Sequence, residues 1–287
     1  MISVIILQYN NFHFTKEAIE SFRKYHPSEH EIILVDNGST DSGWENSISH
    51  IQNIKLIRLE SNLGFGPANN LAAKKAAGDI LLFLNNDTVT TESYLEEIEK
   101  EFTNNPGIGI IGPKILNPDK SLQLSFGNFP TLMVELVDKI LYRLVDKKSK
   151  TITGYFEKKY SAKQFAQWVT GAALFIKKDL FLSINGFDES FFMYFEDKEL
   201  CKRVSDSGYK IMYFPAVSLI HLRGGSAAGP KKKFLDQMYR KSQIYYYTKH
   251  NSKFEQIVLR LYLKISGKKS DHHFRSRSNY VADTLSE

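Results

Sequence analysis

Apolar residues arrive in short runs that alternate with polar, helically spaced segments. Residues 3–8 form a continuous apolar run, which predicts a strand buried on both faces of a parallel sheet. Residues 15–24 carry Ala18, Ile19 and Phe22 at helical spacing. Residues 31–35 and 54–59 predict a second and a third strand, and 79–84 a fourth. Between the last two, Asn62-Leu63-Gly64-Phe65-Gly66-Pro67 predicts a turn that opens a helix running to about residue 77. Residues 91–102 predict a helix with Ser and Thr capping options. Strands alternating with helices define an α/β chain with a mostly parallel sheet. Polar clusters at 36–41, 62–70 and 85–87 each follow a strand. They therefore converge on one edge of the sheet, the edge where such sheets bind ligands.

The second half is less regular. Residues 108–116 and 122–126 predict strands, and 132–145 an amphipathic helix with apolar positions at 132, 133, 136, 137, 140, 141 and 144. The basic, polar stretch 147–163 predicts a mobile loop. Residues 168–176 are apolar around Gly171-Ala172-Ala173. The aromatic run 191–195 leads into a helix over 196–207. Two more helices are predicted at 231–249 and 254–265, followed by a Ser-, His- and Arg-rich tail.

Composition narrows the class. With 42% hydrophobic and 24% charged residues in 287, the chain is ordinary globular protein. Its one cysteine, Cys201, excludes an internal disulfide framework and a Cys-based zinc site, and reads as a small buried core residue. The first residues read as a strand and not as a signal peptide, and no run of 18 apolar residues exists, so an intracellular protein is expected. The net charge of +6 is uneven: residues 229–287 hold 13 Lys/Arg against 5 Asp/Glu, and the body is near neutral. A basic end either meets something anionic or is a solvated surface.

Several residues carry chemistry. Asp36 ends a strand, where a carboxylate either accepts the imide N3–H of uracil or thymine or caps the turn. Asn85-Asn86-Asp87 ends the most apolar strand; Asp87 would ligate a hard cation such as Mg²⁺ or Mn²⁺, or cap the following turn. The 62–70 turn has Asn69 where a dinucleotide fingerprint needs its third glycine, and no phosphate-binding P-loop is present. What remains there is a helix N-terminus suited to an anion. Glu196-Asp197 follow five apolar residues; they serve either the helix macrodipole or a general base in an aromatic-walled pocket. His221, before Leu222-Arg223-Gly224-Gly225-Ser226, is a metal ligand or a structural histidine. No helix-turn-helix, zinc or RNA-binding aromatic motif points to nucleic acid.

Taken in order, these motifs resemble the inverting family 2 glycosyltransferases with a GT-A fold, in particular the bacterial rhamnosyltransferase-like branch. The matching stretches are Val4 to Asn10, Val35 to Asp41, Asn62 to Asn70, Leu84 to Asp87, Gly171-Ala172, Phe192 to Asp197 and His221 to Ser226. The resemblance runs from residue 2 to about residue 250. It implies a Rossmann-like sheet flanked by helices over 1–230, with 1–104 the nucleotide-sugar-binding half and 105–230 the acceptor and catalytic half. A basic helical extension and tail follow at 231–287.

The resemblance also implies site roles. Asp36, beside Tyr9, would hold the pyrimidine base, and Asn62, Gly64 and Asn70 would border the nucleotide sugar. Asp87 matches the end of an Asp-x-Asp metal motif and His221 a further metal ligand, for Mg²⁺ or Mn²⁺. Asn85 stands where the first acid of that motif would be, which removes a charge. Asp197 matches the catalytic base, with Glu196 beside it, and Trp168 and Gly171 would lie near the acceptor. Asn86 and Arg223 complete the substrate-binding set. The implied donor is a dTDP- or UDP-sugar, dTDP-rhamnose first. The implied acceptor is a saccharide or a polyprenyl-diphosphate-linked saccharide of cell-surface polysaccharide synthesis. A UDP-hexose or N-acetylhexosamine transferase and an inactive sugar-nucleotide-binding scaffold are the alternatives. The basic end, with the 132–145 helix, is expected either on the anionic inner face of the cell membrane or in a homodimer.

Overall fold

The computed structural model describes residues 1–27, 30–41, 43–44, 53–146, 150–222 and 230–265. Strands β1 (Ile2–Gln8), β2 (Glu31–Asp36), β3 (Ile54–Arg58) and β4 (Ile80–Asn85) lie parallel in the order β3-β2-β1-β4. Helices α1 (Phe12–Tyr25) and α2 (Phe65–Lys75) are two of the crossovers between them. After β4 come β5 (Thr88–Thr90), α3 (Leu95–Asn104) and β6 (Ile108–Leu116). Then follow β7 (Phe126–Gly127), α4 (Leu132–Asp146), α5 (Lys150–Lys159), β8 (Gln164–Ala166), β9 (Trp168–Val169) and β10 (Ala173–Lys177). Helices α6 (Lys178–Ser183) and α7 (Glu196–Asp206) lead to β11 (Lys210–His221), α8 (Pro230–His250) and α9 (Lys253–Ile265).

The sheet continues past β4 as β10-β6-β11-β5, with β8 on β11. β10 runs antiparallel to both β4 and β6, whereas β11 runs parallel to β6. Alternation along the strands explains two cores. Ile5, Ile33, Val35, Leu81 and Phe83 face α2, α6 and α7; Val4, Ile6, Ile32, Leu34 and Leu82 face α1 and α3. Burial on both faces is why these strands read as unbroken apolar runs. A third cluster, built on Phe191, Phe195, Tyr246, Tyr247, Leu259 and Leu263, fixes α8 and α9 against the aromatic segment before α7.

Two expectations change. Within the stretch 147–163, residues 150–159 are helix and not loop: α5 forms because Phe156 and Tyr160, four residues apart, turn inward and pack near Phe126. The strand over 122–126 shrinks to a bridge between Leu122 and Leu116 and to β7. The apolar run 168–176 breaks into β9 and β10 on either side of residues 170–172. The long strand β11 is unpredicted; Pro215 and a register shift between Phe214 and Ser218 interrupt its pattern. Cys201 is buried in the core, as expected. Among the described residues no helix is long and apolar enough to cross a membrane.

Candidate active site

Register alone brings the strand ends together: Gln8 lies opposite Asp36, and Leu7 opposite Asn85. Buried Asp36 accepts the Ser39 N–H at 3.1 Å. Asn10 reaches across from the end of β1, donating its N–H to Ser39 Oγ and accepting the Thr40 N–H, both at 2.9 Å. Tyr9 stays exposed at this rim. Asn37 then ties the loop to the next one. Its amide donates to Asn62 Oδ1 (2.9 Å) and the Gly64 carbonyl, and it accepts the Leu63 N–H (2.9 Å).

The N-terminus of α2 differs from the expected anion site. Its first N–H, from Phe65, donates to the Phe192 carbonyl at 2.9 Å. Gly64 (φ +87°) makes this approach: a Cβ there would lie 2.5 Å from the same carbonyl oxygen. Asn70, a turn and a half along α2, is buried and holds the Phe187 N–H (2.8 Å) and carbonyl (2.9 Å). It faces this supporting turn, apart from the carboxylates described next.

β5 pairs with the end of β11, placing His221 opposite Thr88. Asp87 Oδ1 then lies 3.1 Å from His221 Nε2, with the Asn85 amide nitrogen 3.5 Å from the same ring atom. Asn86 turns away and donates to Thr15 Oγ1 at 3.0 Å. Gln123, which sequence reasoning missed, sits behind the imidazole. Its amide nitrogen donates to the His221 carbonyl (3.0 Å), which leaves Oε1 to accept from Nδ1 at 3.1 Å. A neutral His221 so held carries its Nε2 lone pair toward Asp87. Two Lewis-basic atoms facing each other want a proton or a cation between them.

An oxygen and an imidazole nitrogen fit a divalent ion that completes its shell with diphosphate oxygens and water. Among the described residues no cluster of three or more such ligands forms. Arg223 and the glycines after it lie outside the described residues.

Asn85 links this pair to the acids of α7. Its N–H donates to the Ala172 carbonyl (2.9 Å), and the neighbouring Gly171 N–H donates to Asp197 Oδ2 (3.0 Å). Tyr194 and Phe195, both left-handed (φ +70° and +67°), turn the chain so that Glu196 and Asp197 open α7. The Asp197 charge is held by two N–H groups, since its Oδ1 accepts the Lys198 N–H at 2.8 Å. Glu196 is buried, and its Oε2 finds no hydrogen-bond partner. Burial first, and then the Asp197 charge, push its carboxyl up to about 8. Trp168 is buried beside β7 and donates to the Asn128 carbonyl (2.8 Å); Lys198 Nζ lies 4.6 Å from its ring and 4.8 Å from that of Phe195.

The C-terminal helices brace this loop. Ser242 donates to the Met193 carbonyl (2.7 Å), and Lys249 bridges Asp188 (2.6 Å) and Glu199 (2.7 Å). Glu199 has no exposed surface. Burial alone would raise its carboxyl, but His250, Arg203 and Lys249 hold it down at about 2.

The sheet edge thus gathers an Asp–His pair, a carboxylate on a helix start and the polar loops that follow β1, β2 and β4. The model of glycosyl transferase family 2 matches residues 3–160, so the chain belongs to that family. A second model, the N-terminal domain of galactosyltransferase, matches residues 151–223. The chain is 24% identical to N-acetylglucosaminyl-diphospho-decaprenol L-rhamnosyltransferase of Mycobacterium tuberculosis, covering 77% of this chain and 75% of that protein. It is 27% identical to rhamnosyltransferase WbbL of Escherichia coli (77% and 83%). In fold it is similar to GalNAc-T7, solved with UDP, GalNAc and Mn²⁺. The TM-score is 0.59 at 16% identity, over 99% of this chain and 57% of that one.

Proposed function

We propose that the chain is an inverting glycosyltransferase that carries a sugar, with dTDP-rhamnose the leading donor, to a saccharide or polyprenyl-diphosphate-linked acceptor. The setting is cell-surface polysaccharide synthesis, in the cytoplasm. One observation carries the reading: a single hydrogen-bonded line, from Asp197 through Gly171-Ala172 to Asn85, puts a candidate base beside a candidate cation pair. The rhamnosyl donor and the lipid-linked acceptor are supported by the names of the two relatives.

In this reading residues 1–104 receive the nucleotide sugar. Asp36, beside Tyr9, accepts the imide of the pyrimidine, and Asn62, Gly64 and Asn70 border the nucleotide sugar. Residues 105–230 receive the acceptor beside Trp168 and Gly171. Asp197 takes the proton of an acceptor hydroxyl while that oxygen attacks the anomeric carbon. The carbon–oxygen bond to the diphosphate breaks on the opposite face. A base in this position gives about 10²–10⁴-fold. Asp87 and His221 would hold a divalent ion, Mg²⁺ or Mn²⁺, whose charge, when bound, offsets that of the departing diphosphate. Glu196 keeps its proton at neutral pH, so it meets substrate as a neutral acid.

The test is thermal stability with UDP, dTDP, GDP and NAD, each with and without Mn²⁺ or Mg²⁺. A ligand at 100 times its dissociation constant stabilises by about 2.7 kcal/mol. A metal-enhanced shift with a pyrimidine diphosphate is expected, followed by transfer from dTDP-rhamnose. Preference for UDP, which has the 2′-hydroxyl that dTDP lacks, would move the donor to a UDP-hexose. No shift with any nucleotide would overturn the transferase reading in favour of an inactive scaffold.

A further inference from the structure

Helices α4 and α9 run side by side. Glu255 accepts the Leu132 N–H (3.3 Å), and Lys139 donates to Tyr262 (3.0 Å); both pairs are 123 residues apart, so the helices are parallel and in step over two turns. Each turns an apolar stripe outward. On α4 Met133, Leu136 and Ile140 are at least half exposed, and on α9 so are Phe254, Ile257 and Leu261. Stripes at such spacing normally face a core, and here nothing described covers them.

Charge identifies the occupant. Lys139, Lys253, Arg260 and Lys264 are exposed on the same two helices. The acids with described side chains are each less exposed. Glu135 is tied to Gln243 and Tyr247 (3.0 Å to the latter), Glu255 is tied to Leu132 and Ser252, and Asp138 is only partly exposed. Among the described side chains of the two helices the most exposed charges are all cationic, and exposed apolar side chains accompanied by cations suit an anionic bilayer. A second copy would bring like charges face to face across a two-fold axis.

We infer that the paired outer faces of α4 and α9 dock the enzyme on an anionic lipid bilayer. The inference gives the lipid-linked acceptor reading its means of delivery and rests on that reading for its purpose. Leu132, at the start of α4, packs on the aromatic cluster that contains Phe195, two residues before Asp197. Helix α4 is thus anchored beside the segment that opens α7.

The test mixes the full chain with vesicles of phosphatidylcholine, alone or with phosphatidylglycerol, and measures co-sedimentation without any sugar nucleotide. Two double variants are compared, Leu136→Asp with Leu261→Asp, and Arg260→Glu with Lys264→Glu. All four positions are exposed, so folding is retained, which the thermal response to UDP or dTDP with Mn²⁺ checks. The expected result is retention by phosphatidylglycerol vesicles that each double variant weakens by about tenfold or more. Failure of the unaltered chain to bind those vesicles, or retention of both variants equal to that of the unaltered chain, would overturn the inference. So would a dimer, seen by light scattering, that either variant splits. Vesicle retention with no nucleotide response would sustain the docking face while removing the transferase reading.

Discussion

Replacing Glu196 by Gln should make the protein more stable at neutral pH. The carboxyl is pushed from 4.5 to about 8 in the folded state by burial and by the Asp197 charge. A raised acid stabilises the fold fully only below its unfolded value, and that contribution is lost as pH rises through the window from about 4.5 to about 8. At pH 7 the unfolded chain has been free to ionise for about two and a half pH units, a penalty of about 3 kcal/mol. A glutamine never ionises and escapes it. The buried amide, placed where Oε2 already has no partner, gives back about 1 kcal/mol, so the net gain is about 2 kcal/mol. Urea unfolding of both proteins at pH 5 and pH 7 measures it. The gain should be present at pH 7, nearly absent at pH 5, and smaller when Asp197→Asn is also present. Equal unfolding midpoints at both pH values would refute the protonated Glu196 and the burial argument behind it.

Asp197→Asn keeps the acceptor for the Gly171 N–H but cannot take a proton, so turnover should fall about 10²–10⁴-fold while the thermal response to nucleotide is unchanged. Gln123→Leu frees the His221 ring and should weaken Mn²⁺ binding, titrated with UDP or dTDP present, by about 10–100-fold. Gly64→Ala forces a side chain into the Phe192 carbonyl at a left-handed position, and should cost about 1–3 kcal/mol in urea unfolding. Lys249→Met leaves buried Glu199 with Arg203 as its main countercharge and should cost about 2 kcal/mol by the same measurement.

Strands β1, β2 and β4 were legible because they are buried on both faces and end in polar clusters, so periodicity and register coincide. The Glu196-Asp197 pair was legible as a pair of candidate acids, but the burial that raises the Glu196 carboxyl is created only by packing. β11 was hidden by Pro215 and by its register shift, and with it the partner that brings His221 to Asp87. Gln123 carries no sequence signal: its role depends on a residue 98 positions away. The turn at Gly64 read as an anion cradle because a glycine before a helix looks the same whether it admits a phosphate or a carbonyl. Helix α5 was masked by its lysines, which obscure the inward spacing of Phe156 and Tyr160.

The late position of β11 bears on how the site is assembled. Asn85 and His221 meet across 136 residues, and β6, β10 and β11 must all dock before they do. Contacts of that span close late, because the chain between them has to be ordered first. The parallel strands β1 to β4 have their partners among themselves well before the last strand is synthesised. A growing chain would thus hold the edge formed by the ends of β1, β2 and β4 while lacking the imidazole and the acids of α7. On the proposed reading, catalytic competence would arrive with the final third of the molecule, and a nascent chain would meet sugar nucleotide at Asp36 before it could consume any.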